Sequence, residues 1–199
     1  MRHTDTVILG NGEFPKHPTP LAILKSARLV VACDGAITHY PTAEVVIGDG
    51  DSIPAAYRHK LIVVDEQDDN DLTKATRYCI SQGCKSIDYV GCTGQREDHT
   101  IGNIALLMRY YRDWGIEGRL LTDFGWFTPC HGDVTFDSLP RQQVSIFNFG
   151  CSRLESEGLK WHSYAYREWW QGTLNEALAD SFTLHADGYY MVYQTYACK

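Results

Sequence analysis

The sequence has no Cys-x-x-Cys pair, no run of basic residues and no apolar stretch approaching the ~20 residues that span a bilayer. The missing Cys-x-x-Cys argues against a structural zinc site. The seven scattered cysteines, an odd number, argue against a disulfide framework. Reduced thiols in a cytoplasmic protein are the expectation. A formal net charge of −7 excludes general binding to nucleic acid or to an anionic membrane. Met1-Arg2-His3-Thr4-Asp5 shows no apolar region of a secretory signal. Two nucleotide motifs are missing as well. Gly10-Asn11-Gly12 lacks the third glycine of a dinucleotide fingerprint and runs on into Pro15, and no G-x-x-x-x-G-K-[ST] occurs.

What is present is enough for one large domain or two small ones: 199 residues, 44% of them hydrophobic. Thr6–Gly10, Arg28–Cys33, Glu44–Gly48, Lys60–Val64 and Ser86–Val90 read as short apolar strands. Between them lie helical segments. Pro18–Ser26 is one; Leu72, Ala75, Thr76 and Cys79 share a face of a second; Ile101, Ile104, Ala105, Met108 and Tyr111 share a face of a third. This alternation predicts a parallel sheet covered by helices on both faces. After Trp114-Gly115 the pattern changes to β-like runs at Arg119–Thr122, Trp126–Thr128, Val134–Phe136, Val144–Asn148, Leu159–Trp161, Ser181–His185 and Tyr189–Tyr196. Turn residues separate most of them, which predicts an antiparallel β-sandwich, with a short helix within Tyr164–Trp170. The boundary is expected near Gly118, giving domains 1–117 and 118–199.

In a parallel sheet, ligands sit beyond the carboxyl ends of the strands. Asp34, Asp49, Asp51, Asp71 and Asp98 all follow strand ends in this reading and can converge on one crevice. The densest acidic stretch, Asp65-Glu66-Gln67-Asp68-Asp69-Asn70-Asp71, packs five carboxylates into seven residues. Such a stretch is either a solvated turn whose Asn70 or Asp71 caps the next helix, or part of a site for a hard cation such as Mg²⁺. Gly91-Cys92-Thr93-Gly94 offers backbone N–H groups for phosphate oxygens, and Arg96 adds a planar donor fork. Gln67 and Lys74 are further donors, while His99 and Asn103 lie one helical turn apart. The remaining histidines show no ligand spacing.

These segments, in this order, resemble the thiamine pyrophosphokinase family over nearly the whole chain. Asp34-Gly35 matches the family's D-G-G, with Ala36 replacing the second glycine. Asp49, Asp51 and Ser52 match G-D-x-D-S. Asp68, Asp71 and Lys74 match D-x-T-D-x-x-K, with Asn70 in place of Thr. Gly91, Gly94, Arg96, Asp98, His99 and Asn103 match G-x-x-G-x-R-x-D-H-x-x-x-N, and Gly158-Leu159-Lys160-Trp161 matches G-L-K-W. Gly172-Thr173-Leu174-Asn175 keeps the Asn of the last motif and has Leu where the family has Ser.

The resemblance implies a Rossmann-like parallel sheet flanked by helices followed by an antiparallel β-sandwich. It implies transfer of diphosphate from ATP to thiamine with release of AMP. It also implies a homodimer whose active sites combine the first domain of one chain with the second of the other. Mg²⁺ is expected on Asp49, Asp51 and Asp71, which with Asp98 are the expected catalytic residues. ATP phosphates are expected on Asp34, Gln67, Lys74, Gly91, Gly94, Arg96, His99 and Asn103, and thiamine on Trp161, Thr173 and Asn175. A different Mg²⁺-dependent nucleotide phosphohydrolase, or a non-catalytic thiamine- or nucleotide-binding protein, stays open as an alternative.

Overall fold

The computed structural model describes residues 4–66 and 68–198. The chain divides between Asp123 and Phe124 into two compact units. In the first, β1 (Thr6–Leu9), α1 (Pro18–Ser26), β2 (Leu29–Cys33), β3 (Val45–Gly48), β4 (Leu61–Val63), α2 (Asp71–Ser81), β5 (Ser86–Val90), α3 (Glu97–Trp114) and β6 (Glu117–Leu121) follow one another. The strands pair in parallel in the order β6-β5-β1-β2-β3-β4. The chain leaves β1 towards β2, β3 and β4, then returns to lay β5 on the other side of β1. The order therefore reverses between β1 and β5, where a doubly wound sheet opens a crevice. Val7, Ile8, Val31, Ile47, Ile87 and Leu120 are wholly or almost wholly buried, as near-continuous apolar strands require. Among the described residues, no helix is long and apolar enough to cross a membrane.

Local signals set the helix ends. Pro18 opens α1, where its missing N–H is harmless, and the His17 ring accepts from Thr19 N at 3.2 Å. Asn70 caps α2 by accepting from Thr73 N at 3.0 Å. Gly115, at φ 66°, ends α3 in the left-handed region. The buried face of α2 carries Leu72, Ala75, Thr76 and Cys79 as the periodicity predicts. The buried face of α3 follows its expected stripe only in part. Met108 is buried as expected, Leu107 and Tyr110 are buried beside it, and Ile101 is exposed. Tyr110 turns the helix this way, because its hydroxyl pairs with Thr73 Oγ1 at 2.7 Å and its ring stacks between Tyr89 and Trp114.

The second unit contains β7 (Gly125–His131), β8 (Val134–Asp137), β9 (Gln142–Asn148), β10 (Leu154–Glu157), β11 (Asn175–Glu176), β12 (Ser181–Ala186) and β13 (Tyr189–Cys198). They form antiparallel layers, β11-β9-β13-β7 and β10-β12-β8. Side chains from both layers fill one core, including Val144, Ile146, Tyr190 and Val192 from the first and Phe136, Phe182 and Leu184 from the second. Phe136 stacks on Phe182 at 4.9 Å between ring centres. This is the expected sandwich.

Several expected boundaries shift. The first unit runs to Asp123, not to residue 117, because Glu117–Leu121 pairs in parallel with β5 and so completes the first sheet. Leu154–Glu157 is a strand without an apolar run; β12 supplies its pairing and Leu154 its one buried side chain. Leu159–Trp161 forms only a single bridge, Leu159 to Ala177, because Gly158 turns the chain at φ 79° and a side chain takes up the backbone of Trp161. The helix expected within Tyr164–Trp170 shrinks to a 3-10 turn at Trp169–Gly172, since Gln171 Oε1 accepts from Arg167 N and Glu168 N and keeps that approach non-helical. All seven cysteines carry free thiols.

One ion pair bears on stability. Asp88 on β5 is 1% exposed and receives both Nε (3.1 Å) and Nη2 (2.6 Å) of Arg119 on β6. Removing one partner strands a buried charge. Asp88→Ala should therefore lose about 3–5 kcal/mol in urea unfolding, and Asp88→Leu with Arg119→Met should recover most of that loss.

Candidate functional site

A cleft of about 300 Å³ opens in the first unit at the carboxyl ends of β1, β2 and β5, where the strand order reverses. Two loops form its floor. Gly10 N, Gly12 N and Glu13 N donate to the carbonyls of Val90, Gly91 and Thr93 at 2.7–2.8 Å, which laces the loop after β1 to the loop after β5. Glycine is required for so close an approach. A Cβ on Gly12 would lie 2.5 Å from Thr93 O and 2.6 Å from Gly91 O. Gly94 stands at φ 87° with Glu13 packed against it. The walls come from the start of α2 (Asn70, Asp71) and the first turns of α3 (His99, Asn103), with Arg96 just before α3.

The carboxylates sit at the strand ends. Asp34 follows β2 with a left-handed backbone, φ 35°, and is only 6% exposed. Its Oδ2 accepts from Ser52 N at 2.9 Å, while its Oδ1 is buried with no hydrogen-bond partner. Asp49 follows β3 and accepts from Asp51 N at 3.1 Å across Gly50. Asp71 opens α2. Burial pushes its carboxyl above the usual carboxylate range, the Lys74 ammonium pulls it back, and repulsion from Asp34 and Asp49 raises it further. Lys74 is itself buried, 3.5 Å from Asp71 Oδ1. Thus Asp71 feels the charge of Asp34 although 37 residues of sequence separate them.

Most of the acidic stretch does not face the cleft. Arg77 takes Glu66 and Asp69 at 2.6 Å each, and Arg109 reaches Asp69 at 3.3 Å. Gln67, an expected phosphate ligand, lies outside the described residues. At the start of α3, Arg96 grips Asp98 with Nε at 3.1 Å and Nη2 at 2.6 Å. Both are exposed, and the hydrogen bond from Arg96 holds the Asp98 carboxyl below its ordinary range. The thiols in the wall stay protonated. Burial pushes Cys92 up to about 12 and Cys33 well above its usual value, so thiolate chemistry is not offered here.

These donors suit a hard cation that arrives with phosphate. Among the described residues, no three acidic, histidine or cysteine side chains stand close enough to enclose a metal alone. Mg²⁺ does not need such a cage, since it keeps waters and substrate phosphates among its ligands. The unpartnered Oδ1 of Asp34 and the raised carboxyl of Asp71 are what a cation would relieve.

In the second unit, Trp161 is 52% exposed, with Lys160 Nζ 4.9 Å from the centre of its ring. Buried Asn175 accepts from Trp161 N at 3.1 Å and donates to Trp161 O at 2.7 Å, so its amide closes both backbone bonds of Trp161 as a paired strand would. Thr173 Oγ1 donates to Trp170 O at 2.7 Å. Leu174 between them is 63% exposed at φ 65°, an unusual backbone for a branched residue.

Of the expected residues of the first unit, Asp71, Arg96, His99 and Asn103 line the cleft, and Gly91 and Gly94 shape its loop. Asp34, Asp49, Asp51, Lys74 and Asp98 are not among its lining residues. Thr93 of the expected phosphate loop lines it too, and Asn11, Asn70 and Gln95, which also line it, were not among the expected ligands. Gly10-Asn11-Gly12 carried the only available signal for Asn11, a glycine turn directly after a strand.

A family model described as thiamin pyrophosphokinase, catalytic domain, matches residues 21–116, and one described as thiamin pyrophosphokinase, substrate-binding domain, matches residues 125–193. A comparison with curated proteins gives no match. Among solved structures, thiamine pyrophosphokinase from Bacillus subtilis superposes with a TM-score of 0.78 at 20% identity, covering 96% of this chain and 98% of that one. The enzyme from Geobacillus thermodenitrificans gives 0.78 at 20% identity, covering 98% and 99%. The yeast enzyme gives 0.78 at 15%, covering 98% and 88%. These likenesses establish the fold, and the two family models, in order, span both units: the chain belongs to the thiamin pyrophosphokinase family.

Proposed function

We propose that the first unit binds Mg²⁺ and ATP and the second binds thiamine, for transfer of a diphosphate group to the thiamine hydroxyl with release of AMP. The observation that carries this reading is the half-buried Asp71 carboxylate facing a laced glycine loop across one cleft at the reversal point of a parallel sheet. Phosphoryl-type transfer asks for in-line positioning and charge neutralisation more than covalent catalysis. Asp49, Asp51 and Asp71 would hold Mg²⁺, with Asp34 beside them. The ion supplies neutralisation of the phosphate charge. The Gly91–Gly94 turn, Gln67 and Arg96 cradle the phosphates, with His99 at the same wall. Lys74 keeps Asp71 ionised and aimed.

The hydroxyl oxygen attacks the β-phosphorus, and the bond from that phosphorus to the α–β bridging oxygen breaks. The hydroxyl proton would go to Asp98 or to a neighbouring Asp. Arg96 is paired with Asp98, and its donors would turn to the phosphates as they bind. Trp161 offers its indole face to the flat, cationic rings of thiamine. Thr173 would contact the same ligand, and Asn175 fixes the backbone from which Trp161 projects. A cytoplasmic location and a homodimer with shared active sites complete the proposal. Exposed Phe124, Trp161, Tyr164, Trp170 and Leu174 support the dimer, since so much apolar surface on one small unit favours a partner.

Mass spectrometry of products from ATP, Mg²⁺ and thiamine tests the reaction. Thiamine diphosphate with equimolar AMP is the expected outcome. ADP or free phosphate with thiamine unchanged would favour a nucleotide phosphohydrolase instead. Asp71→Asn should cut Mg²⁺-dependent turnover by about 10²–10³-fold while the far-UV spectrum stays native. Because burial raises the Asp71 carboxyl, turnover at limiting Mg²⁺ should fall with decreasing pH along an acid limb that lies above that of an ordinary carboxylate, as the metal ligand gains its proton. Trp161→Ala should weaken thiamine binding by about 10-fold or more and leave nucleotide affinity within about 2-fold, both read by calorimetry.

A further inference from the structure

The cleft walls are joined by a chain of side-chain hydrogen bonds. Asn70 Oδ1 accepts from Thr73 N at 3.0 Å and from Thr73 Oγ1 at 2.9 Å. Asn70 Nδ2 donates to Asn103 Oδ1 at 3.2 Å, and Asn103 Nδ2 donates to Cys92 O at 2.8 Å. Both amides have a forced orientation. One end of the chain is a backbone N–H, which can only donate, and the other is a backbone carbonyl, which can only accept. Flipping either amide would set donor against donor or acceptor against acceptor. The chain starts at the cap of α2, next to Asp71, and ends on the glycine loop after β5, passing through α3.

We propose that Asn70 and Asn103 are positioning residues that hold the Asp71 carboxylate at a set distance from the Gly91–Gly94 loop. The inference rests on the proposed Mg²⁺-nucleotide site and adds how that site keeps its geometry. Asn103 spends its oxygen on Asn70 and a proton on Cys92 O, so its main contribution to the phosphates is the shape of the loop beneath them. Asn70 does two separable jobs: its oxygen caps α2 and its nitrogen ties α2 to α3. A shift of about 1 Å between reacting groups costs on the order of 10²-fold in rate, so two modest hydrogen bonds can matter far more to turnover than to folding.

Asn70→Ser separates these jobs, since serine caps a helix as well as asparagine but cannot reach Asn103. The thermal midpoint should stay within about 2 °C while kcat drops about 10-fold or more, with the Kd of a non-hydrolysable ATP analogue changed less than about 3-fold. Asn103→Ala should do the same. Asn103→Ser, too short to reach Cys92 O, serves if the alanine variant folds poorly. Because both variants break one chain, the double variant should be no slower than the worse single one beyond about 2-fold. Losses that multiply, an unchanged kcat, or a fall in kcat that only tracks a fall in thermal midpoint would each overturn the inference while the unsubstituted protein still makes AMP. An unsubstituted protein that binds no Mg²⁺-nucleotide would overturn the proposed function itself, and the inference with it.

Discussion

The placing of acidic side chains at the carboxyl ends of a parallel sheet is the constraint around which the first unit is built. Asp34 and Asp49 follow β2 and β3, and Asp71 opens α2. Asp71 is held half-buried beside Lys74, where burial raises its carboxyl and the charges of Asp34 and Asp49 add to that rise. Asp34 shows the strain most directly, with a left-handed backbone and a buried oxygen that makes no hydrogen bond. Such features persist only where the surroundings over-determine them, and they collect at functional sites. Gly48 belongs to the same arrangement, since a Cβ there would lie 2.8 Å from that of Asp34.

The remaining acids show how a protein separates structural from chemical charge. Glu66 and Asp69 lie within a few residues of Asp71 in sequence, yet Arg77 and Arg109 neutralise them away from the cleft. Asp71 pairs with Lys74 at a longer 3.5 Å and keeps a raised carboxyl. The acidic stretch caps a helix at Asn70, as its composition suggested, and it places Asp71 in the wall of the cleft. Arg96 and Asp98 satisfy each other at the start of α3.

In the second unit the question is how an exposed tryptophan is held still. A regular strand at Leu159–Trp161 would satisfy the backbone but leave little freedom over where the indole points. Instead one bridge anchors Leu159, and the Asn175 amide supplies the two missing bonds at Trp161. That replacement explains why the segment reads as a strand in sequence and is not one in the structure.

Much was legible in the sequence because it rests on local rules. Apolar runs punctuated by Asp or Gly mark parallel strands and their carboxyl ends, Pro18 and Gly115 mark helix ends, and the spaced Asp, Gly and Arg residues point to a phosphate site. Three things required the tertiary structure. Glu117–Leu121 joins the first sheet because β5 offers it a parallel edge, and no periodicity in five residues announces that. The inward face of α3 is set by Tyr110, whose hydroxyl finds Thr73 on another helix, not by its apolar spacing. The tie from Asn70 through Asn103 to Cys92 links residues 22 positions apart from end to end, and such a bond depends on how helices and loops are placed in space. Residue types and local pattern thus determine which groups are available, while the distances and orientations that let repelling carboxylates and matched amides meet exist only once long-range packing has brought the strand ends together.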